Sequence, residues 1–333
     1  METPPKDILD ALDRMHLLNG AVPFGLPLTG GVSSDIWRID LPDGPICIKR
    51  ALPKLRVNAD WQAPVERNLY EARWMRVANA AVPGVSPALL GQDEATGALA
   101  MEYLPSERYP LWKAQLRDGK VDVGFAAHVA DRLGRIHAAT AADPALAVEF
   151  PTDAIFHDIR LEPYLTQTGR AHPDLADQMQ RLIETTQRNK HALVHGDVSP
   201  KNILSGPDGP VFLDAECAWW GDPAFDLAFC LNHLMLKCLW VPTALDALLD
   251  SFQAMTTAYL PLVLWEPASA LEARAAHLLP ALFLARVDGK SPVEYITLDT
   301  DRDRVRAVAR RLLADPPDRL ADVARTWKED IAA

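Results

Sequence analysis

From Pro223 to Trp240 the chain is apolar on nearly every face a helix can present, through Phe225, Leu227, Ala228, Phe229, Leu231, Leu234, Met235 and Leu239. A helix of that kind must be enclosed by other elements, so it belongs in the interior of a helical domain. Asp222 is placed to cap it, and Pro223 suits its first turn. Asn232, His233 and Lys237 interrupt the run, and no stretch approaches the roughly 20 apolar residues that span a bilayer, so no membrane partner is expected.

The material to enclose this helix follows residue 104. Helical periodicity predicts helices over 123–139, 174–188, 246–259, 269–287 and 301–313, with short strands around Leu193 and Phe212. Before residue 104 the pattern is different. Strands are expected over 35–41, over 45–49 after an Asp43-Gly44 turn, and over 98–103 after a Thr96-Gly97 turn. Val65, Leu69, Ala72 and Met75 at helical spacing put one helix, 65–78, between them. The expected organisation is α+β: a small β lobe over 1–104, a hinge at about 100–106, and a large helical lobe over 105–333.

Composition narrows the function classes. Lys plus Arg total 34 against 45 Asp plus Glu, a net charge of −11, which disfavours nucleic acid as a partner because a phosphate backbone needs a basic footprint. Cys47, Cys217, Cys230 and Cys238 form no Cys-x-x-Cys pair and have no histidines at zinc-ligand spacing, so neither a disulfide framework nor a structural metal is indicated. The N-terminus has no positive region leading into an apolar stretch, and a cytoplasmic protein is expected.

The polar residues that carry chemistry lie in two clusters flanked by short apolar runs. One is His195-Gly196-Asp197-Val-Ser-Pro-Lys-Asn202 and the other Asp214-Ala-Glu216. Phosphoryl transfer needs such a set: a carboxylate to orient a hydroxyl and take its proton, and oxygen ligands to hold Mg²⁺ on the β- and γ-phosphates. Asp197 is the candidate base, and Asn202 and Asp214 are candidate metal ligands.

With Asp and Asn five residues apart and a second Asp opening the next loop, the chain resembles the protein-kinase-like superfamily. His-Gly-Asp, and Gly221-Asp-Pro223-Ala-Phe-Asp226 after it, look like the branch of aminoglycoside phosphotransferases, choline kinases and methylthioribose kinases. Asp214-Ala-Glu216 is similar to the last of these. The resemblance covers roughly residues 25 to 240. It implies a bilobal protein-kinase-like fold and the use of ATP and Mg²⁺. It also makes Glu216 a third metal ligand, His195 a brace for the loop, and Asp226 its support from the long helix.

The nucleotide side follows from the same resemblance. Lys49, at the end of the 45–49 run, is expected on the α- and β-phosphates, with Glu71 holding it as an ion pair. Cys47 shares the strand face of Lys49 and would line the roof over the adenine. Backbone groups of Glu102 and of Tyr103 or Leu104 would bind the adenine edge. Gly30, Gly31, Ser33 and Ser34 occupy the position of the phosphate-covering loop.

Only six residues separate Glu216 from Pro223, too few for the activation loop of a protein kinase, so the acceptor is expected to be a hydroxyl of a small molecule. Trp219, Trp220 and Arg286 are candidates for its wall. Both tryptophans would serve equally as core, and Arg286 either pairs with a carboxylate or meets an anionic substrate. A sugar-like or amino-alcohol acceptor is favoured. An aminoglycoside would call on acids such as Asp246, Asp250, Glu266 and Glu272. A catalytically silent nucleotide-binding module is the remaining alternative.

Overall fold

Alternation along the early strands produces a five-stranded antiparallel sheet of order β1-β2-β3-β5-β4, comprising β1 (Phe24–Pro27), β2 (Ser34–Leu41), β3 (Gly44–Ala51), β4 (Leu89–Asp93) and β5 (Ala98–Glu102). This is a computed structural model, and it describes residues 2–20, 22–28, 34–52, 64–141 and 143–332. Gly44, at φ +120°, closes the β2–β3 hairpin in a backbone region that side chains rarely adopt. On β3 the side-chain period of two divides the strand. Ile46 and Ile48 join Ile39, Ala98 and Ala100 on one face of the sheet. Cys47, with Leu99 and Met101, lies on the other, against Trp74, Met75 and Ala78 of α2 (Arg67–Ala81).

Three elements here go beyond the expected strand, strand, helix, strand order. The helix α1 (Lys6–Arg14) lays Ile8, Ala11 and Leu12 on the first face of the sheet, and Arg14 grips Asp93 of β4 through Nε (3.0 Å) and Nη2 (2.7 Å). The strands β1 and β4 were not foreseen because they are short, and β4 also shifts register between Leu89 and Gly91, so neither carries a readable alternation.

Beyond the sheet the chain is mainly helical. α3 (Trp112–Arg117) and α4 (Val123–Ala141) come first, followed by the short α5 (Ala145–Glu149) and α6 (Asp153–Phe156). A π-helical segment, His157–Thr166, leads through α7 (Gln167–Ala171) to α8 (Ala176–Arg188). Then come α9 (Pro223–Trp240), α10 (Leu245–Tyr259), α11 (Ala268–Asp288), α12 (Asp299–Ala314) and α13 (Leu320–Ala332). The ends of the six long helices expected from the sequence move by at most two residues.

Every residue of α9 from Pro223 to Cys238 is buried, and α3, α10, α11 and α13 pack around it. Its N-cap Asp222 accepts the Ala224 N–H at 3.0 Å, while Arg274 of α11 forks onto both Asp222 oxygens at 2.9 Å. Two antiparallel ribbons complete the architecture: β6 (Ala192–Val194) with β9 (Trp219–Gly221), and β7 (Ile203–Gly206) with β8 (Gly209–Phe212). The polar clusters of the sequence sit in the loops between these ribbon strands.

Candidate active site

The loop after β6 is held from beneath by α9. Asp226, fully buried near the positive end of that helix, accepts the backbone N–H of His195 on Oδ2 (2.7 Å) and of Gly196 on Oδ1 (2.8 Å). His137 of α4 approaches the same Oδ2 at 3.3 Å and accepts from the Tyr259 hydroxyl at 2.7 Å. Gly196 turns at φ +80°, and a Cβ there would stand 2.6 Å from the Cys217 carbonyl oxygen, so both backbone and space require glycine.

His195 is a brace in this geometry. Its Nδ1 accepts the Asp197 N–H at 3.1 Å and its Nε2 faces the Leu213 carbonyl at 3.1 Å, which fixes the proton on Nε2 and ties the two polar loops together. Burial lowers its pKa. Asn202 donates to the Asp197 carbonyl at 3.1 Å. No described group donates to its amide oxygen.

Asp197 itself is 3% exposed. Its Oδ2 receives Arg160 Nη2 at 2.9 Å and Lys201 Nζ at 3.0 Å, while its buried Oδ1 has no hydrogen-bond partner among the described residues. Burial opposes its ionisation, but Arg160 and then Lys201 outweigh burial and hold the carboxyl below its ordinary range. Arg160 is fixed in turn, donating to the carbonyls of Gly196 and, at 2.6 Å, Ile159. Sequence reading missed both cations. Lys201 lies four residues after Asp197 inside the motif, whereas Arg160 comes from the π-helical segment and shares no local pattern with the loop.

The second cluster surrounds Lys49 of β3. Its Nζ donates to Glu71 Oε2 of α2 at 2.7 Å and to Asp214 Oδ1, so the sheet, the helix and the loop after β8 meet at one ammonium. Burial works against that charge, but Asp214 and then Glu71 more than restore it. Burial also pushes Glu71 up, to about 7, against the pull of Lys49. Asp214 is held well below the carboxylate range because Lys49 and Lys201 overcome its burial. It adopts φ +66°, a conformation costing about 1–3 kcal/mol that persists only when the surroundings impose it. Glu216 turns to Arg67, whose Nε donates to Oε2 at 2.9 Å.

Around these clusters, Ser34 is buried with its hydroxyl unpartnered among the described residues, and Gly30, Gly31 and Ser33 lie outside them. The Glu102 N–H is taken by the Ala88 carbonyl at 2.8 Å. Among the described residues, no turn or loop hydrogen bond takes up the backbone of Tyr103 or Leu104. Arg38 lies over the Tyr103 ring at 4.9 Å.

The phosphotransferase enzyme family matches residues 25–262 of the chain, a span that runs from β1 through both polar loops to the end of α10. The chain belongs to this family. Among curated relatives it is similar to methylthioribose kinase of Bacillus cereus strain AH187, 23% identical over 229 residues, covering 61% of this chain and 58% of that protein. The methylthioribose kinase of Bacillus mycoides is 24% identical over 231 residues with the same coverage. The chain thus spans a little over half the length of these relatives. Among solved structures, the fold is similar to choline kinase from Cryptosporidium parvum Iowa II, with a TM-score of 0.58 and 13% identity over 93% of this chain and 96% of that one. It is likewise similar to a Plasmodium vivax ethanolamine kinase, with a TM-score of 0.54 and 11% identity over 97% and 85% of the two chains.

Family membership leaves the acceptor wall to be read from this chain's own residues. Trp219 is core: it is 1% exposed, stacks on Phe156 at 4.2 Å and donates Nε1–H to Asp153 at 2.7 Å, because its side of β9 faces inward. Trp220, opposite Leu193 in the ribbon, is half-buried against the same core. Arg286 is 7% exposed and has no carboxylate partner among the described residues. It donates to the Tyr164 hydroxyl and to Ser291 instead.

Proposed function

We propose that the protein is an ATP- and Mg²⁺-dependent kinase that moves a γ-phosphoryl group onto a hydroxyl of a small molecule. The observation that carries this reading is the bare Oδ1 of Asp197. A buried carboxylate oxygen lacking a donor is costly, and an incoming hydroxyl is the donor it lacks. The hydroxyl oxygen forms a bond to the γ-phosphorus, the bond to the bridging oxygen of ADP breaks, and the hydroxyl proton passes to Asp197. Because Arg160 and Lys201 depress its basicity, Asp197 acts chiefly by orienting the hydroxyl, which is what a loose phosphoryl-transfer transition state asks of it.

Lys49, steadied by Glu71, supplies the positive charge for the α- and β-phosphates. The all-oxygen donor set of Asn202 and Asp214 suits Mg²⁺, which commonly takes one or two protein ligands and completes its shell with phosphates and water. Among the described residues, no cluster of three or more His, Cys, Asp or Glu side chains stands ready to hold a metal by itself. The chemistry a bound Mg²⁺ supplies is charge neutralisation on the β- and γ-phosphate oxygens. Glu216, engaged by Arg67, is the weaker candidate ligand.

The aminoglycoside reading has less support. Glu266 is gripped by Arg274 and Glu272 accepts the Leu320 N–H, so these two acids serve helix packing, while Asp246 is paired with Lys328 at the surface. The test is Asp197→Ala. Transfer should fall by about 10²–10⁴-fold while affinity for the Mg²⁺ complex of AMP-PNP stays within about threefold. Turnover within about tenfold of the parent would remove Asp197 from the reaction.

A further inference from the structure

Arg160, the guanidinium bound to Asp197, lies over the rings of Tyr164 at 5.9 Å and Phe229 at 5.8 Å. Beyond those rings is a second set of basic side chains. Arg286 Nη1 donates to the Tyr164 hydroxyl at 3.3 Å, to the Ser291 hydroxyl at 3.0 Å and to the Ser291 carbonyl, while its Nε has no partner among the described residues. His233 meets Phe229 edge-on at 5.4 Å, its Nδ1 stands 3.5 Å from the Tyr295 hydroxyl, and its Nε2 has no partner among the described residues. One turn further along α9, Lys237 Nζ lies 4.1 Å from the centre of the Tyr295 ring and 4.9 Å from that of Trp240.

Arg286, His233 and Lys237 are 7%, 5% and 1% exposed, and none meets a carboxylate within ion-pair distance among the described residues. Glu294, the acid that acts on Lys237, is held by Lys113. Burial, then the charge of Lys113, pull Lys237 down to about 7, and burial with Arg286 and Lys237 beside it keeps His233 neutral. The aromatic faces under Lys237 and the Tyr164 and Ser291 acceptors of Arg286 offset only part of the cost of burying these two groups without a counter-charge, and a ligand anion would supply the rest. A cationic ligand is disfavoured for a second reason. Aromatic faces recognise ammonium groups, and here the protein's own Lys237 occupies the Tyr295 and Trp240 faces.

We infer that the phosphate acceptor is a hydroxylated organic anion whose charged group, carboxylate or phosphate, seats on Arg286, Lys237 and His233 while its hydroxyl reaches Asp197. The inference rests on the kinase reading above and narrows its substrate class. It favours sugar acids, hydroxy acids or phosphorylated polyols over amino alcohols and aminoglycosides.

The experiment measures ADP release by the full chain with Mg²⁺ and ATP over matched acceptors: glycerol, glycerate and glycerol 3-phosphate; glucose and gluconate; ethanolamine and choline. At least one anion should exceed its neutral counterpart about tenfold or more in kcat/KM, and the ranking of glycerate against glycerol 3-phosphate identifies the charged group. Lys237→Met and Arg286→Gln should each raise KM for the best anion by about tenfold or more and leave KM for ATP within about twofold. Lys237→Met should also melt no lower than the parent, since it removes an uncompensated buried charge; a purely structural lysine would give a lower Tm and an unchanged KM, which overturns the inference. Preference for a neutral or cationic acceptor overturns it as well. So does a protein that binds AMP-PNP yet neither turns over nor is thermally stabilised by any anion of the series, with the kinase reading left standing. Failure to bind AMP-PNP is the separate result that sinks the kinase reading itself.

Discussion

Lys237 gives the basic cluster a pH signature of its own. Its pKa in the folded protein, about 7, is below the ordinary 10.5. Between those values the unfolded chain holds a proton that the native protein lacks, so stability rises with pH across that window, and below about 7 the full penalty of the buried charge is present. The groups facing it are Cys230 on its own helix, Lys113 of α3, Arg286 of α11, and Glu294. Urea midpoints of the parent and of Lys237→Met, compared at increasing pH between these limits, isolate this one group. The advantage of the methionine variant should shrink as pH rises, and a constant difference would show that Lys237 does not titrate there. Asp197 illustrates the opposite balance, since its two cations outweigh burial and keep it ionised through neutral pH.

Among the elements, α9 joins scaffold to chemistry. Its all-apolar body fixes it in the interior, and the carboxylate in its first turns orients the loop that carries Asp197. Asp226→Asn puts an amide NH₂ where a backbone N–H now finds an acceptor. It should cost roughly 2–3 kcal/mol in urea unfolding and lower kcat while AMP-PNP affinity holds. Loss of stability with unchanged kcat would assign Asp226 to folding alone. This helix was legible in the sequence to the residue because its pattern is long, its cap is local and proline marks its start. The pairing of Lys49 with Glu71 was legible only through the family resemblance, since alone each reads as a surface charge. Arg160 was not, because the π-helical segment holding Pro163 follows neither period, and its pairing with Asp197 is made only by tertiary packing. Trp219 was read as equally suited to wall and core because alternation in a three-residue strand cannot tell which face turns inward.

At the scale of the whole molecule, surface and interior carry charge differently. The chain carries a net −11, while among the described residues its interior holds acids and bases in near balance, and Arg286 and Lys237 are the buried cations that meet no carboxylate there. Acids such as Asp246 and Asp322 face outward in pairs with surface cations, where each pair contributes little. For the anionic acceptor proposed above, an acidic exterior would not speed capture by long-range attraction, so selection would be made at short range, after desolvation.

The sheet has a consequence of another kind. Its first face and α1 form a small apolar cluster separate from the one that runs through the helical part. A chain begun after residue 20 would lay Ile39, Ile46, Ile48, Ala98 and Ala100 open to water, on a sheet whose β1 edge already exposes Phe24 and Leu26. Such a shortened protein should bind the dye ANS and self-associate through that surface even though every residue proposed for the reaction is still in place. Clear solutions without dye binding would mean that the opening helix is dispensable. Packing of α1 therefore keeps that face of the sheet from water, and a substitution that loosens Ile8 or Leu12 should act on solubility before it acts on turnover.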